Sequence, residues 1–258
     1  MPIRVGVQVQ PQHADFATMR KTWRDAEELG ADTIYTWDHF YPLSGAPDGE
    51  HFEGVVSLAA LAASTERARV GALVFCNTYR NPQLLADVHR TVDQLSGGRV
   101  IFGIGAGWFE RDYDEYGYEF GTAPDRLRAL GRDLPLMKQR LKKLNPPPVG
   151  PMPFLIGGRG EKVTLKLVAQ HAQMWHTFVD DLGVYNHLAG VLAEHCANVG
   201  TDSATIEHVI GSFKGVGNLA DDLAAAGVAE LTVGVSGPKY DLGELRELIA
   251  WRDRYNAG

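Results

Sequence analysis

The chain has 258 residues, enough to bury a large core as one domain, and that length is typical of an α/β barrel. Its net charge is −7 and its basic residues are dispersed, which argues against a nucleic-acid-binding surface. Two cysteines, Cys76 and Cys196, without metal-type spacing exclude a disulfide scaffold and a zinc site. No run approaches the roughly 18 apolar residues of a membrane span.

The first residues, Met1-Pro-Ile-Arg-Val-Gly-Val-Gln8, lack an apolar stretch flanked by positive charge and read as a strand rather than a signal peptide. A reduced, cytoplasmic protein is the expectation. From there strand and helix alternate. A strand at Arg4–Val9 is followed by a helix at Phe16–Leu29 that stops at Gly30. Strands at Thr33–Trp37 and Arg69–Val74 come next, then a helix at Gln83–Leu95 between Asn81-Pro82 and Gly97-Gly98. A strand at Val100–Ile104 precedes a helix at Asp125–Leu144. The segment Asn145–Pro153 holds five of the thirteen prolines and reads as a stiff connector. Strands at Phe154–Ile156, Gln173–His176, Ile206–Ser212 and Glu230–Val235 complete the set, with helices at Glu161–Ala172, Leu182–Val199, Leu219–Ala226 and Leu242–Tyr255.

Eight short, mostly β-branched strands separated by helices predict an α/β fold, a closed parallel (β/α)8 barrel, with a doubly wound open sheet as the alternative. No repeat and no domain boundary is visible, so the expectation is one domain over residues 1–258. In either architecture the functional groups belong at the carboxyl ends of the strands.

Those ends carry a consistent set of residues. After the second strand, Trp37-Asp-His-Phe40 places a carboxylate and an imidazole side by side, a source of proton transfer or of hydrogen bonds to a ring carbonyl. After the third, Cys76, Asn77, Thr78 and Arg80 are short polar or cationic groups able to reach a cofactor. The fourth ends in Gly103-Ile-Gly-Ala-Gly-Trp108. Its alternating glycines leave one face of the backbone bare for a flat ring, and Trp108 falls where the dinucleotide fingerprint needs its third glycine. The acids Glu110, Asp112, Asp114 and Glu115 that follow read as a solvated loop. After the fifth strand, Gly157-Gly-Arg-Gly160 opens a helix and suits a phosphate, without the Gly-Lys-Ser/Thr ending of a nucleotide P-loop. Trp175 and His176 read equally as pocket or core. There is no Gly-x-Ser-x-Gly elbow, no His-Glu-x-x-His motif and no metal-ligand spacing, so the polar groups fit a cofactor that carries the chemistry itself.

At Trp37-Asp-His-Phe40, His51-Phe-Glu53, Gly71–Val74, Asn77–Pro82, Asp93–Arg99, Gly103–Trp108 and Pro153–Gly160 the chain resembles the bacterial luciferase-like family, in particular its branch using coenzyme F420, a deazaflavin. The resemblance covers most of the first 176 residues and implies the eight-stranded barrel. It implies a deazaflavin ring in the barrel mouth with its phosphate on Gly157, Gly158, Arg159 and Gly160. Asp38 and His39 would lie beside the ring, Asp38 orienting the histidine or binding the cofactor. Cys76 and Asn77 would reach its polar edge, Gly105 and Gly107 would leave room for it, and Trp108 would wall the pocket. Many relatives have a non-prolyl cis peptide that would here fall within Val74–Asn77. Trp108 and Leu43 depart from the sugar-phosphate dehydrogenases of this branch, and the proline connector implies a short lid. The expected function is hydride transfer between F420 and a small organic substrate, with His39 as proton donor or acceptor. An FMN- and oxygen-dependent monooxygenase and a non-catalytic flavin-binding protein are the alternatives. Relatives of this kind are often dimers, so a homodimer is the implied assembly.

Overall fold

The computed structural model describes residues 2–258. Alternation along the first strand, β1 (Arg4–Val9), shows how the layers form. Val5, Val7 and Val9 point out into the apolar layer beneath the helices. Gly6 faces the barrel interior, where a Cβ would lie 2.7 Å from Glu230 Oε1 and 3.2 Å from Tyr35. The remaining strands are β2 (Thr33–Thr36), β3 (Arg69–Ala72), β4 (Phe75–Cys76), β5 (Phe102–Gly105), β6 (Phe154–Gly157), β7 (Met174–Phe178), β8 (Glu207–Gly211) and β9 (Glu230–Val235).

All pair in parallel in the order β3-β2-β1-β9-β8-β7-β6-β5-β4. The two ends of this order meet: Val70 N donates to Arg99 O at 3.0 Å and Ile101 N donates to Val70 O at 2.8 Å, closing the barrel. The predicted third strand is thus two pieces, β3 and β4, at one strand position, and eight positions make up the (β/α)8 barrel. Between the pieces the Leu73–Val74 peptide is cis, one bond before the interval expected.

The helices are α1 (Phe16–Leu29), α2 (Gly54–Ser64), α3 (Pro82–Ser96), α4 (Glu110–Tyr116), α5 (Ala123–Leu141), α6 (Thr164–His171), α7 (Leu182–Val199), α8 (Ala220–Ala225) and α9 (Gly243–Ala257). Local chemistry sets their ends. Asp15 accepts from Thr18 N at 2.7 Å at the start of α1, and Gly30 terminates that helix at φ +101°. Asn81 caps α3 ahead of Pro82, and Gly97 ends it at φ +69°. The proline connector is an extended strap, as expected. Asp93 Oδ2 accepts from Val149 N and Gly150 N at 2.6 and 3.0 Å and holds it against the end of α3.

One expectation fails here. The acid run Glu110–Glu115 is not a solvated loop but the helix α4, and helical spacing splits it. Glu110, Asp114 and Glu115 face water, whereas Asp112 and Tyr113 turn inward and are buried. Among the described residues no helix is long and apolar enough to cross a bilayer.

Gly103 on β5 sits where β3 and β5 come together, and a Cβ there would lie 1.9 Å from the Ala72 carbonyl oxygen. Backbone cannot yield as a side chain can, so Gly103→Ala is expected to cost about 3 kcal/mol or to prevent folding. The same change at Gly190, in α7 with open space around it, is expected to gain roughly 1 kcal/mol. Urea unfolding followed by circular dichroism checks both; equal midpoints for the two variants would refute the packing argument.

Candidate active site

A cavity of about 720 Å³ opens at the carboxyl ends of the strands, walled by residues at or just after the ends of β2 to β8. Its most organised wall is built on Asp112. The buried carboxylate accepts from His39 Nδ1 at 2.7 Å, from Tyr79 OH at 2.9 Å, and from the backbone N–H groups of Phe40 and Tyr41 at 3.1 and 3.2 Å. One acid on α4 thereby ties the loop after β2 to the 3-10 turn Asn77–Tyr79 after β4. Because the carboxylate accepts, the Nδ1 proton of His39 is committed to it. Nε2 has no protein hydrogen-bond partner among the described residues, and the imidazole lines the cavity. Trp37, Phe109 and Trp108 stand edge-on to that ring at 5.5, 5.6 and 5.8 Å.

Asp38 lines the same cavity but does not orient His39. Its carboxylate takes a bidentate pair of hydrogen bonds from Arg80 at 2.7 and 2.8 Å and a third from Cys76 N at 2.9 Å. Burial raises the Asp38 pKa, with Arg80 opposing the rise. Arg80 also donates to Glu53, whose other oxygen caps α2 by accepting from Val56 N at 2.7 Å. Although burial disfavours its charge, the two carboxylates lift the Arg80 pKa above the ordinary value. Asp38 therefore ties the ends of β2 and β4 together and fixes the loop that carries His39.

The glycine platform is used by the protein itself. A Cβ at Gly105 would lie 2.7 Å from Val74 Cγ2, and one at Gly157 2.8 Å from Val74 Cγ1. The bare backbone of β5 and β6 makes room for Val74, which lines the cavity, so a ring at this spot would rest on a valine rather than on glycine. At Gly107, φ is +86° and a Cβ would meet Tyr113 OH at 2.1 Å and Cys76 Sγ at 2.5 Å. The Cys76 thiol lines the cavity, contacts Tyr113 OH at 3.1 Å, and has its pKa raised by burial.

At the far end Gly157, Gly158 and Arg159 line the cavity together with Thr164, the first residue of α6. Gly158 adopts φ +127°, a conformation that favours glycine. His176 forms part of the adjoining wall; it is buried, its Nε2 has no partner, and burial lowers its pKa to about 3. Trp175, by contrast, is core, its Nε1 donating to Gly158 O at 2.8 Å.

Of the residues expected around a ring, Asp38, His39, Cys76, Gly105, Gly107, Trp108, Gly157, Gly158 and Arg159 meet at one cavity. Asn77 and Gly160 do not line it. Asn77 is buried, and its Nδ2 donates to Asp133 on α5 at 2.9 Å. A Cβ at Gly160 would lie 2.7 Å from Thr164 Oγ1. Asp112 and Val74 were missed as contributors, and His176, which the sequence left open between pocket and core, lines the pocket. The signal for Asp112 was present: two residues before it and two or three after it are acids that face water, yet Asp112 and Tyr113 share the opposite face of one helical turn.

The profile described as luciferase-like monooxygenase matches residues 1–235. The chain belongs to the luciferase-like monooxygenase family. Among curated members, F420-dependent glucose-6-phosphate dehydrogenases of Amycolatopsis mediterranei and Kineococcus radiotolerans are each 32% identical, over 121 and 145 residues. These matches cover 46% and 54% of this chain but only 32% and 41% of the relatives' own length. Luciferase-like structures confirm the barrel. An F420-dependent secondary alcohol dehydrogenase in complex with an F420-acetone adduct superposes with a TM-score of 0.83, covering 97% of this chain and 99% of that one at 15% identity. The coenzyme F420 dependent tetrahydromethanopterin reductase of Methanopyrus kandleri gives 0.73, with 95% and 96% covered at 15% identity. A long-chain alkane monooxygenase gives 0.68, with 82% and 64% covered at 11% identity.

Burial also sets an acid limit on this architecture. It lowers the pKa of His51, His89 and His208 to about 4 and that of His176 to about 3. The unfolded chain takes up protons on these groups below about pH 6.5, whereas the folded chain resists them until about pH 4. Their contribution to stability is complete above pH 6.5 and is lost as pH falls toward 4. The urea midpoint is expected to drop steeply between pH 6.5 and 4.5, and a flat profile over that interval would refute the buried neutral state.

Proposed function

We propose that the chain is an oxidoreductase using coenzyme F420, with hydride transfer to or from a small organic substrate at the barrel mouth. The observation that carries this reading is the pairing of His39 with Asp112, which leaves Nε2 at the wall of a ring-sized cavity. The residues present fit the cofactor. Val74, seated on Gly105 and Gly157, offers an apolar backing for a flat ring, and the buried, unpartnered Nε2 of His176 is a polar group that a ring carbonyl or N–H would satisfy. Gly157, Gly158 and Arg159, beside the start of α6, would hold the phosphate. The F420-dependent relatives support the same choice of cofactor over FMN.

When bound, the reduced deazaflavin supplies a hydride, one hydrogen with two electrons, to a substrate carbon. His39 delivers the accompanying proton from Nε2 to the substrate oxygen, or accepts it in the reverse direction. Asp112 keeps Nδ1 protonated and stabilises the imidazolium, while Asp38 and Arg80 hold the loop on which His39 stands. Trp108 at the rim is left free for the substrate. One domain across residues 1–258, a cytoplasmic location and a homodimer belong to this reading, and light scattering of the purified protein tests the last.

Parallel fluorescence titrations with F420 and FMN are expected to show tight binding of F420 and weak binding of FMN. The reverse preference would favour a flavin monooxygenase, and binding of neither would refute the cofactor assignment. His39→Ala is expected to lower turnover about 10²–10⁴-fold with little change in F420 affinity. Asp112→Asn, which keeps the shape and removes the charge, is expected to give a smaller loss and to shift the pH profile of kcat. Unaltered turnover in His39→Ala would remove it from the mechanism.

A further inference from the structure

The two most exposed aromatic side chains among the described residues, Phe213 at 79% and Trp108 at 63%, both line the cavity. Aromatic surface held in water is unfavourable and marks a place where something apolar docks. Trp108 follows β5 and Phe213 follows β8, three strand positions away, so they stand on nearly opposite sides of the mouth. Each is braced from below. Phe213 stacks on Phe178 with centroids 4.3 Å apart, and Phe178 meets His176 edge-on at 4.9 Å. Trp108 meets His39 edge-on at 5.8 Å.

Free charge is scarce at this mouth. Asp38 is closed off by Arg80. Arg159 is the cation in the lining, and the cofactor phosphate claims it in the reading above. Lys214, beside Phe213, is outside the lining, and its ammonium lies 3.9 Å from Asp180. Apart from Arg159, the positive charge an anionic substrate would meet in the lining is that of protonated His39, which is already paired with Asp112.

We propose that the substrate is an uncharged, flat aromatic or conjugated carbonyl compound. Its ring body lies between Trp108 and the Phe178–Phe213 stack, with its carbonyl oxygen at His39 Nε2. The reaction rests on the F420 reading; the binding mode rests on the aromatic rim alone. In the reduction, the carbonyl carbon gains the hydride as the π pair of the C=O bond moves to oxygen, and that oxygen takes the Nε2 proton of His39 to give the alcohol. A bound deazaflavin would be oxidised by two electrons and would release one proton, and uptake of a proton from solvent at Nε2 returns His39 to the imidazolium.

Calorimetric titration of the full chain with 2-acetonaphthone, 2-naphthoate and glucose 6-phosphate tests this. The neutral ketone is expected to bind, and the two anions are expected to bind more weakly or not at all. Trp108→Ala and Phe213→Ala, both at exposed positions, are expected to weaken the ketone about tenfold each, and Trp108→Phe to restore most of that loss. Tighter binding of either anion, no binding of the ketone, or ketone affinity unchanged in both alanine variants overturns the proposal. F420 titration of the same preparations separates the two readings. F420 bound without the ketone sinks the substrate class alone. Rim-dependent ketone binding without F420 upholds the substrate class and sinks the cofactor.

Discussion

A buried carboxylate with four donors around it organises the mouth of this barrel. Asp112 is out of water, and its hydrogen bonds from His39, Tyr79 and the Phe40 and Tyr41 amides come from two different loops. Each of those donors is in a region where an unmade hydrogen bond costs about 1–3 kcal/mol, so the loops are held to one arrangement by the same charge. Ring orientation of His39, the choice of nitrogen that faces the cavity, and the path of the chain after β2 all follow from it.

Close approach of backbone is the second constraint. β5 and β6 carry glycine where Val74, which lies between β3 and β4, presses on them. The cavity floor is therefore apolar and filled, while its polar groups stand at the sides. Asp38 and Arg80 neutralise each other, and burial keeps His176 uncharged. A cavity built this way favours a large flat cofactor and a neutral partner above it, since each charge present already has a counter-charge or a separate task.

Much of this was readable along the chain. The first and last strands, α1 and α7 are bounded as the residues predict, because β-branched runs, Asp15 as a cap and Gly30 and Gly200 as stops act locally. The cavity also collects nine of the residues singled out at the strand ends, since in parallel α/β architecture those ends all open on one face. Family membership followed from motifs that are local too.

Other features depend on distances that no local pattern encodes. The sequence marked His39 and a neighbouring carboxylate, but adjacency in the chain suggested Asp38, whereas the partner is Asp112, 73 residues on. It marked bare glycines, but only the folded barrel shows that Val74 occupies them. It placed Asn77 at the right strand end, yet Asp133 on α5 draws that side chain away. Composition and periodicity determine which segments are strand, helix or turn, because those preferences arise within a few residues. Which acid meets which base, and which side chain fills which gap, was decided by tertiary packing, because desolvated charges and close-packed surfaces select partners by proximity in space.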